Sequence, residues 1–226
     1  MKRCVLLAAA AKISRLDIVT LNHDLLLERA LGESYTDGFV EQDGDGLFYG
    51  PKGFEPKHRI WLLKLHGSIN WWRSNRTGRY FIPSIESILE CKDSTGEQLS
   101  PEPRPVILIG SFNKLLDYRF GIFAELHFQF FQVLRKHTTI VMSGYSWNDI
   151  GINAWLSEWF ASSPQKRLIL LHHKQPGDIT IGINTIFRQR FRELLESGRI
   201  TLIQKWISEI STDELLETIR ARRGLL

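Results

Sequence analysis

The residues equipped for chemistry collect just after short apolar runs. Asn22-His23-Asp24 follows the run 17–21, and His66-Gly67-Ser68 follows 60–65. Gly110-Ser111-Phe112-Asn113-Lys114 follows 106–109, and Ser143-Gly144-Tyr145-Ser146-Trp147-Asn148-Asp149 follows 138–142. His172-His173-Lys174 follows 168–171. An imidazole beside a glycine suits general-base work, because the glycine permits close backbone approach and histidine exchanges protons near neutrality. A Gly-rich turn that opens a helix suits phosphate or ribose contacts. Each stretch also has a plain structural reading. Asn22 or Asp24 could cap a helix, His66-Gly67-Ser68 could be a turn, and Gly144–Asp149 could be an ordinary strand-to-helix connection.

The apolar runs read as strands: 17–21, 60–65, 106–109, 138–142, 168–171 and 200–207 are short and rich in β-branched or aliphatic residues. Between them lie helical patterns at 25–31, 120–136, 150–160 and 184–196. Gly32 and Gly198 stand as helix stops, Asn148 or Asp149 as a cap, and Ser211-x-x-Glu214 as a capping box for a last helix. This alternation predicts an α/β, Rossmann-like parallel sheet with helices on both faces. In such a sheet ligands bind beyond the carboxyl ends of the strands, where the polar stretches fall. Segments 36–59 and 71–105, rich in Gly, Asp, Ser and Pro, read as loops or a small inserted module, with 71–105 the irregular insertion.

Composition narrows the class. The 226 residues are 43% hydrophobic, which suits one globular domain, or one with a small insert. The net charge of +4 is mild and suits an anionic ligand. Small Arg clusters at Arg73, Arg76 and Arg79 and at Arg188, Arg190 and Arg192, with Trp71-Trp72, are the weak motives for a nucleic-acid reading. Cys4 and Cys91 form no C-x-x-C pair, so a four-thiolate zinc site is excluded, and a reducing cytoplasm is the simple expectation. The apolar stretch 4–11 reads as an Ala-rich helix in preference to a short signal peptide, and no run approaches a membrane span. Asp43-Gly44-Asp45-Gly46 fails as a calcium loop because the twelfth position is Phe54 or Pro56, and it reads as a surface turn. No G-x-S-x-G elbow or phosphate-binding Walker motif occurs.

Taken in order, the motifs resemble those of the sirtuin-like, NAD-binding family. Thr20-Leu21-Asn22-His23-Asp24-Leu25-Leu26-Leu27-Glu28 resembles its T-x-N-x-D segment, in the form with L-L-E typical of a divergent, defence-associated bacterial branch. Leu65-His66-Gly67-Ser68 resembles its H-G-S motif, and Gly144 to Asp149 its G-Y-S-x-x-D segment. Gly110 to Lys114 falls where that branch often has a Gly or Pro turn with Asn-Lys, and the resemblance covers about residues 17–175.

The resemblance implies NAD as substrate or ligand and cleavage of the nicotinamide–ribose bond. By it, His66 is the general base on a ribose hydroxyl, and Asn22 positions the nicotinamide-side ribose or the attacking water. Asp24 holds the local network, Gly67 and Ser68 shape the wall beside the base, and Gly144, Ser146 and Asp149 contact the adenosine-side ribose and phosphates. The chain departs from the family pattern as well. The family's Gly-Ala-Gly-x-Ser loop should precede Asn22, yet none of the 21 residues before Asn22 is glycine. The expectation is a single sirtuin-like domain over 1–226 that lacks its first strand and Gly-rich loop. Leu21 replaces a polar residue usual in the family, and the zinc cysteines of deacylase relatives are missing. Hydrolysis of NAD without zinc, as in the bacterial anti-phage branch, is therefore expected ahead of protein deacylation. The alternative is an inactive nucleotide-binding or interaction module. A homo-oligomer or an effector protein would be its partner, and neither nucleic acid nor a membrane is expected.

Overall fold

The computed structural model describes residues 14–50, 52–109, 118–182 and 185–223. The Ala-rich stretch 4–11 and the Gly110–Lys114 turn lie outside them. The chain divides into two compact units between Phe130 and Phe131.

In the first unit, β1 (Leu16–Thr20) pairs in parallel with β4 (Ile60–Lys64), in register from Leu16↔Ile60 to Thr20↔Lys64. On the far edge of β4, Thr36 adds one parallel bridge to Trp61: its N–H donates to Ile60 O at 2.9 Å, and Leu62 N–H donates to Thr36 O at 2.8 Å. With neighbours on both edges, β4 is buried along its whole length, which is why it reads as an unbroken apolar run. Helix α1 (Leu26–Leu31) sets Leu27 and Leu31 against Leu16, Ile18, Ile60 and Leu62. It ends at Gly32, whose φ of 59° few other residues adopt.

The segments read as loops build a second, antiparallel sheet. Strands β2 (Phe39–Asp43), β3 (Gly46–Tyr49), β5 (Trp72–Arg73) and β6 (Tyr80–Pro83) lie in the order β2-β3-β6-β5. Strands of two to five residues between Gly and Asp turns are too short for their alternation to stand out. Phe48, Phe81, Cys91 and Leu99 form the core of this sheet, with Trp72 and Ile85 at its margin. Asp43-Gly44-Asp45-Gly46 is the β2–β3 hairpin turn. Its two carboxylates accept backbone N–H groups, Asp43 from Ser94 at 2.9 Å and Asp45 from Lys92 at 3.0 Å.

The first Arg cluster is spent on this module. Arg73 pairs with Glu102 at 2.7 Å, Arg76 with Asp93 and Glu97, and Arg79 with Glu41 at 2.9 Å. Trp71 is fully buried against Phe39, with ring centroids 4.9 Å apart, so it offers no face for stacking a base.

One expected strand is corrected. Residues 106–109 form only an isolated antiparallel bridge, Ile107 to Gly67. Val106 and Leu108 spend their backbone groups on the turn at His66 to Ser68 and on Trp71, and Pro105 just before them has no N–H to extend a ladder. Helix α2 (Gly121–Lys136) follows, with Ile122, Leu126 and Phe130 buried.

The second unit is a regular α/β array. Strands β7 (Thr139–Ser143), β8 (Arg167–Leu171) and β9 (Ile200–Ile203) pair in parallel in that order. Helix α3 (Ile150–Ala161) links the first two, and α4 (Pro176–Gly182) and α5 (Thr185–Glu196) link the last two. Helix α6 (Thr212–Arg223) follows, with Glu214 N–H on Ser211 Oγ at 3.1 Å as the capping box predicts. Phe187, Phe191 and Leu194 bury one stripe of α5, while Arg188, Arg190 and Arg192 lie off it and Arg190 pairs with Glu193. Cations close helix ends here: the buried Lys166 Nζ donates to Leu134 O and His137 O, and the half-buried Arg199 to Phe160 O and Ser163 O. Strand β9 stops at Ile203, short of the expected 207, because Lys205 N–H turns back onto Ile203 O at 2.8 Å.

The fold is α/β and Rossmann-like with an inserted antiparallel module. Among the described residues no helix is long and apolar enough to cross a membrane.

Phe81→Ala removes the ring at the centre of the inserted sheet, where its exposure is 0%. It should lower the unfolding free energy by roughly 3–5 kcal/mol, read from urea denaturation.

Candidate functional site

In the first unit the site begins with the register of β1 and β4. Thr20 and Lys64 are partners at the carboxyl ends of parallel strands, so the chain leaving each strand emerges side by side. Leu65 N–H donates to Thr20 O at 3.0 Å and Ile69 N–H to His23 O at 3.0 Å, tying the two connections together. Asn22-His23-Asp24 and His66-Gly67-Ser68, 42 residues apart, become neighbours, and the His23 and His66 rings lie 6.2 Å apart.

The residue that organises this corner is Lys64. It ends an otherwise apolar strand and is 1% exposed. Its ammonium donates to Asp24 O at 2.5 Å, Glu28 Oε1 at 2.5 Å and Ser68 Oγ at 2.7 Å, and lies 3.5 Å from His23 O. A cation so buried is tolerable only with this full set of acceptors, so it draws the Asn22 loop, α1 and the His66 turn to one point.

The expected site residues of this unit fall as follows. Asn22 is exposed, and its N–H donates to Thr20 Oγ1 at 3.1 Å. Asp24 is exposed too, and its Oδ1 accepts Leu26 N–H at 2.9 Å, opening α1. Ser68 is buried, its hydroxyl held by Lys64 and placed 3.4 Å from His23 O. Gly67 has φ 79°, and a Cβ there would sit 2.0 Å from Val106 O, so no larger residue fits without moving the backbone. His66 is buried, and its Nε2 lies 2.9 Å from the Tyr118 hydroxyl.

Asp37 lies in the same region. Burial raises its carboxyl to about 6, and nearby Glu28 adds to the shift, while the backbone N–H of Phe39 and the Lys64 ammonium oppose it.

In the second unit the expected residues follow β7. Gly144 has φ 70°, and nothing lies within 4 Å of where its Cβ would be, so it is an open position. Ser146 is exposed. Asp149 caps α3, its Oδ1 accepting Ile152 N–H at 3.0 Å. The turn is pinned from beneath. Trp147 is buried at a φ of 64°, unusual for a bulky residue, and stacks on Phe187 at 5.5 Å and edge-on to Phe191 at 5.1 Å. Asn153 Nδ2 donates to Trp147 O at 2.8 Å, and the Tyr145 hydroxyl donates to Asn153 Oδ1 at 2.8 Å. Burial, with the Asp149 carboxylate nearby, holds the Tyr145 hydroxyl well above its ordinary range, so it acts as a hydrogen-bond donor.

With this geometry in view, the comparison with known families decides the assignment. The model of the SIR2-like domain matches residues 17–203. The chain belongs to the SIR2-like domain family. No curated protein matches it significantly. The matched span begins at β1 and ends at β9, so this SIR2-like domain includes the inserted antiparallel sheet and both sets of parallel strands. Among its described residues no group of three or more His, Cys, Asp or Glu is gathered as a metal site.

Sequence reading missed Lys64, Glu28, Tyr118 and Asn153 as parts of this machinery. Lys64 had a signal, a lone cation inside an apolar strand. Tyr118 had none, because only folding brings it to His66 from 52 residues away.

Lys64→Met would leave the Glu28 carboxylate buried without its cation. Urea denaturation should show a loss of about 3–5 kcal/mol, part of it recovered by adding Glu28→Gln. Asp37 predicts a pH effect of definite sign. The native state holds this proton more tightly than the unfolded chain, so its contribution is complete below the ordinary value of 3.8 and is lost as pH rises through about 6. Asp37→Asn keeps an acceptor for Phe39 N–H and should flatten the fall in melting temperature across that window.

Proposed function

We propose that this SIR2-like domain binds NAD and hydrolyses it to nicotinamide and ADP-ribose. The observation that carries the reading is the placement of His66, a buried imidazole just past the carboxyl end of the parallel strand β4, beside the exposed Asn22 loop. In the reaction, water oxygen bonds to the anomeric ribose carbon as the nicotinamide–ribose bond breaks. The bonding pair returns to the pyridinium nitrogen and neutralises it, and one proton is released. His66 accepts a proton from a ribose hydroxyl or the incoming water, and Asn22 orients that ribose or water. Asp24 holds the loop that carries Asn22, and Gly67 and Ser68 form the wall beside the base. Positive charge develops on the ribose, so fixed polar groups in a dry site supply most of the acceleration.

Gly144, Ser146 and Asp149 contact the adenosine-side ribose. The capping carboxylate of Asp149 already occupies the helix N-terminus, which favours ribose hydroxyls over phosphates as its ligands. Cys4 and Cys91 cannot build the four-thiolate zinc module of deacylase relatives, which favours water over an acyl-lysine as acceptor. The T-L-N-H-D-L-L-L-E and G-Y-S-W-N-D segments support membership of the divergent bacterial branch associated with anti-phage defence. A reducing cytoplasm suits the free Cys91 thiol.

Nicotinamide release from NAD by the purified chain tests this reading. His66→Ala should cut the rate by roughly 100- to 10,000-fold, and Asn22→Ala should lower it as well. Nicotinamide release that His66→Ala leaves unchanged would sink the assignment of the base. Calorimetric NAD binding without release would identify a binding module.

A further inference from the structure

A neutral imidazole carries one proton on two nitrogens. It serves as a base only when the reacting nitrogen holds the lone pair and points at the proton. The group bound to the other nitrogen selects that state. In this chain one such group is Tyr118, whose hydroxyl lies 2.9 Å from His66 Nε2. His66 is 5% exposed and Tyr118 8%, so bulk water competes poorly for this bond.

The phenol is itself held in place. Its ring lies 17° from the plane of His66. The buried ring of His127, on α2, packs against Tyr118 with centroids 3.8 Å apart. The hydroxyl cannot swing away from His66 without breaking that packing. Among the described residues, the His23 ring lies 6.2 Å from that of His66, and His127 packs against Tyr118.

We propose that Tyr118 is a positioning residue, whose hydroxyl sets the tautomer and orientation of His66 and which α2 holds rigid through His127. Its catalytic consequence rests on the NAD-hydrolysis reading; its physical content does not. For His66 to act as a base, Nε2–H donates to the Tyr118 oxygen, which leaves the lone pair on Nδ1, and the bond stops the ring from turning.

The test is Tyr118→Phe, which keeps the ring and its packing on His127 while deleting the hydroxyl. Two readouts are taken on the whole chain: nicotinamide release from NAD as a function of pH, and the imidazole nitrogen signals of His66 by NMR, assigned with His66→Ala. The expected result is a kcat lowered by roughly 10- to 100-fold, as for other partners that orient a functional histidine. KM should stay within a few-fold, the pH profile should be displaced, the melting temperature should fall by no more than a few degrees for the lost buried hydrogen bond, and the His66 nitrogen signals should move. Unmoved His66 signals overturn the proposal whether or not NAD is turned over. Moved signals with an unaltered kcat and pH profile overturn it too. If neither protein releases nicotinamide, NAD hydrolysis fails, while moved His66 signals still sustain Tyr118 as the group that sets the imidazole.

Discussion

A buried ammonium at a strand end is the constraint on which the first unit depends. Taking Lys64 out of water carries a large desolvation cost, which only close oxygen acceptors can offset. Here they come from Asp24, Glu28 and Ser68, on three different pieces of chain. Satisfying one cation therefore fixes the loop before α1, the helix itself and the turn after β4 together. The exposed Asn22 and the buried His66 inherit their positions from that requirement. The same corner stores a pH-sensitive cost, because Asp37 is buried near Glu28 and its proton is partly set by the same charges.

The second unit reaches a comparable rigidity by other means. Its glycine turn is anchored by an aromatic side chain, Trp147, driven into the stripe of α5 occupied by Phe187 and Phe191. The strain of a tryptophan at positive φ is offset by burial of its ring and by the bond from Asn153 to its carbonyl. The outcome is a turn with a fixed underside and exposed Gly144, Ser146 and Asn148 above it. Polar groups held in this way lose little freedom when they engage a ligand.

The inserted antiparallel sheet explains two features that composition alone leaves ambiguous. The Arg residues from Arg73 to Arg79 pair with carboxylates within the module. The Asp-Gly repeat at Asp43 to Gly46 is a hairpin whose carboxylates accept backbone N–H groups of the 92–94 segment. Both are structural uses of charged residues that in a bare sequence suggest ligands.

Local patterning by itself determined much of this protein. Periodicity and stop signals located β1, β4, β7, β8, α2, α3 and α5 to within a residue or two, because those elements are long or strongly apolar. The order of the Asn22, His66 and Gly144 motifs was enough to place the family. Tertiary structure alone decided the rest. The strands of the inserted sheet are too short to show a period and exist only through their cross-strand partners. Residues 106–109 look like a strand, yet their hydrogen bonds go to the His66 turn. Lys64, Glu28 and Tyr118 become parts of a site because desolvation and hydrogen bonding act on distance in space. Sequence separation carries no record of that distance.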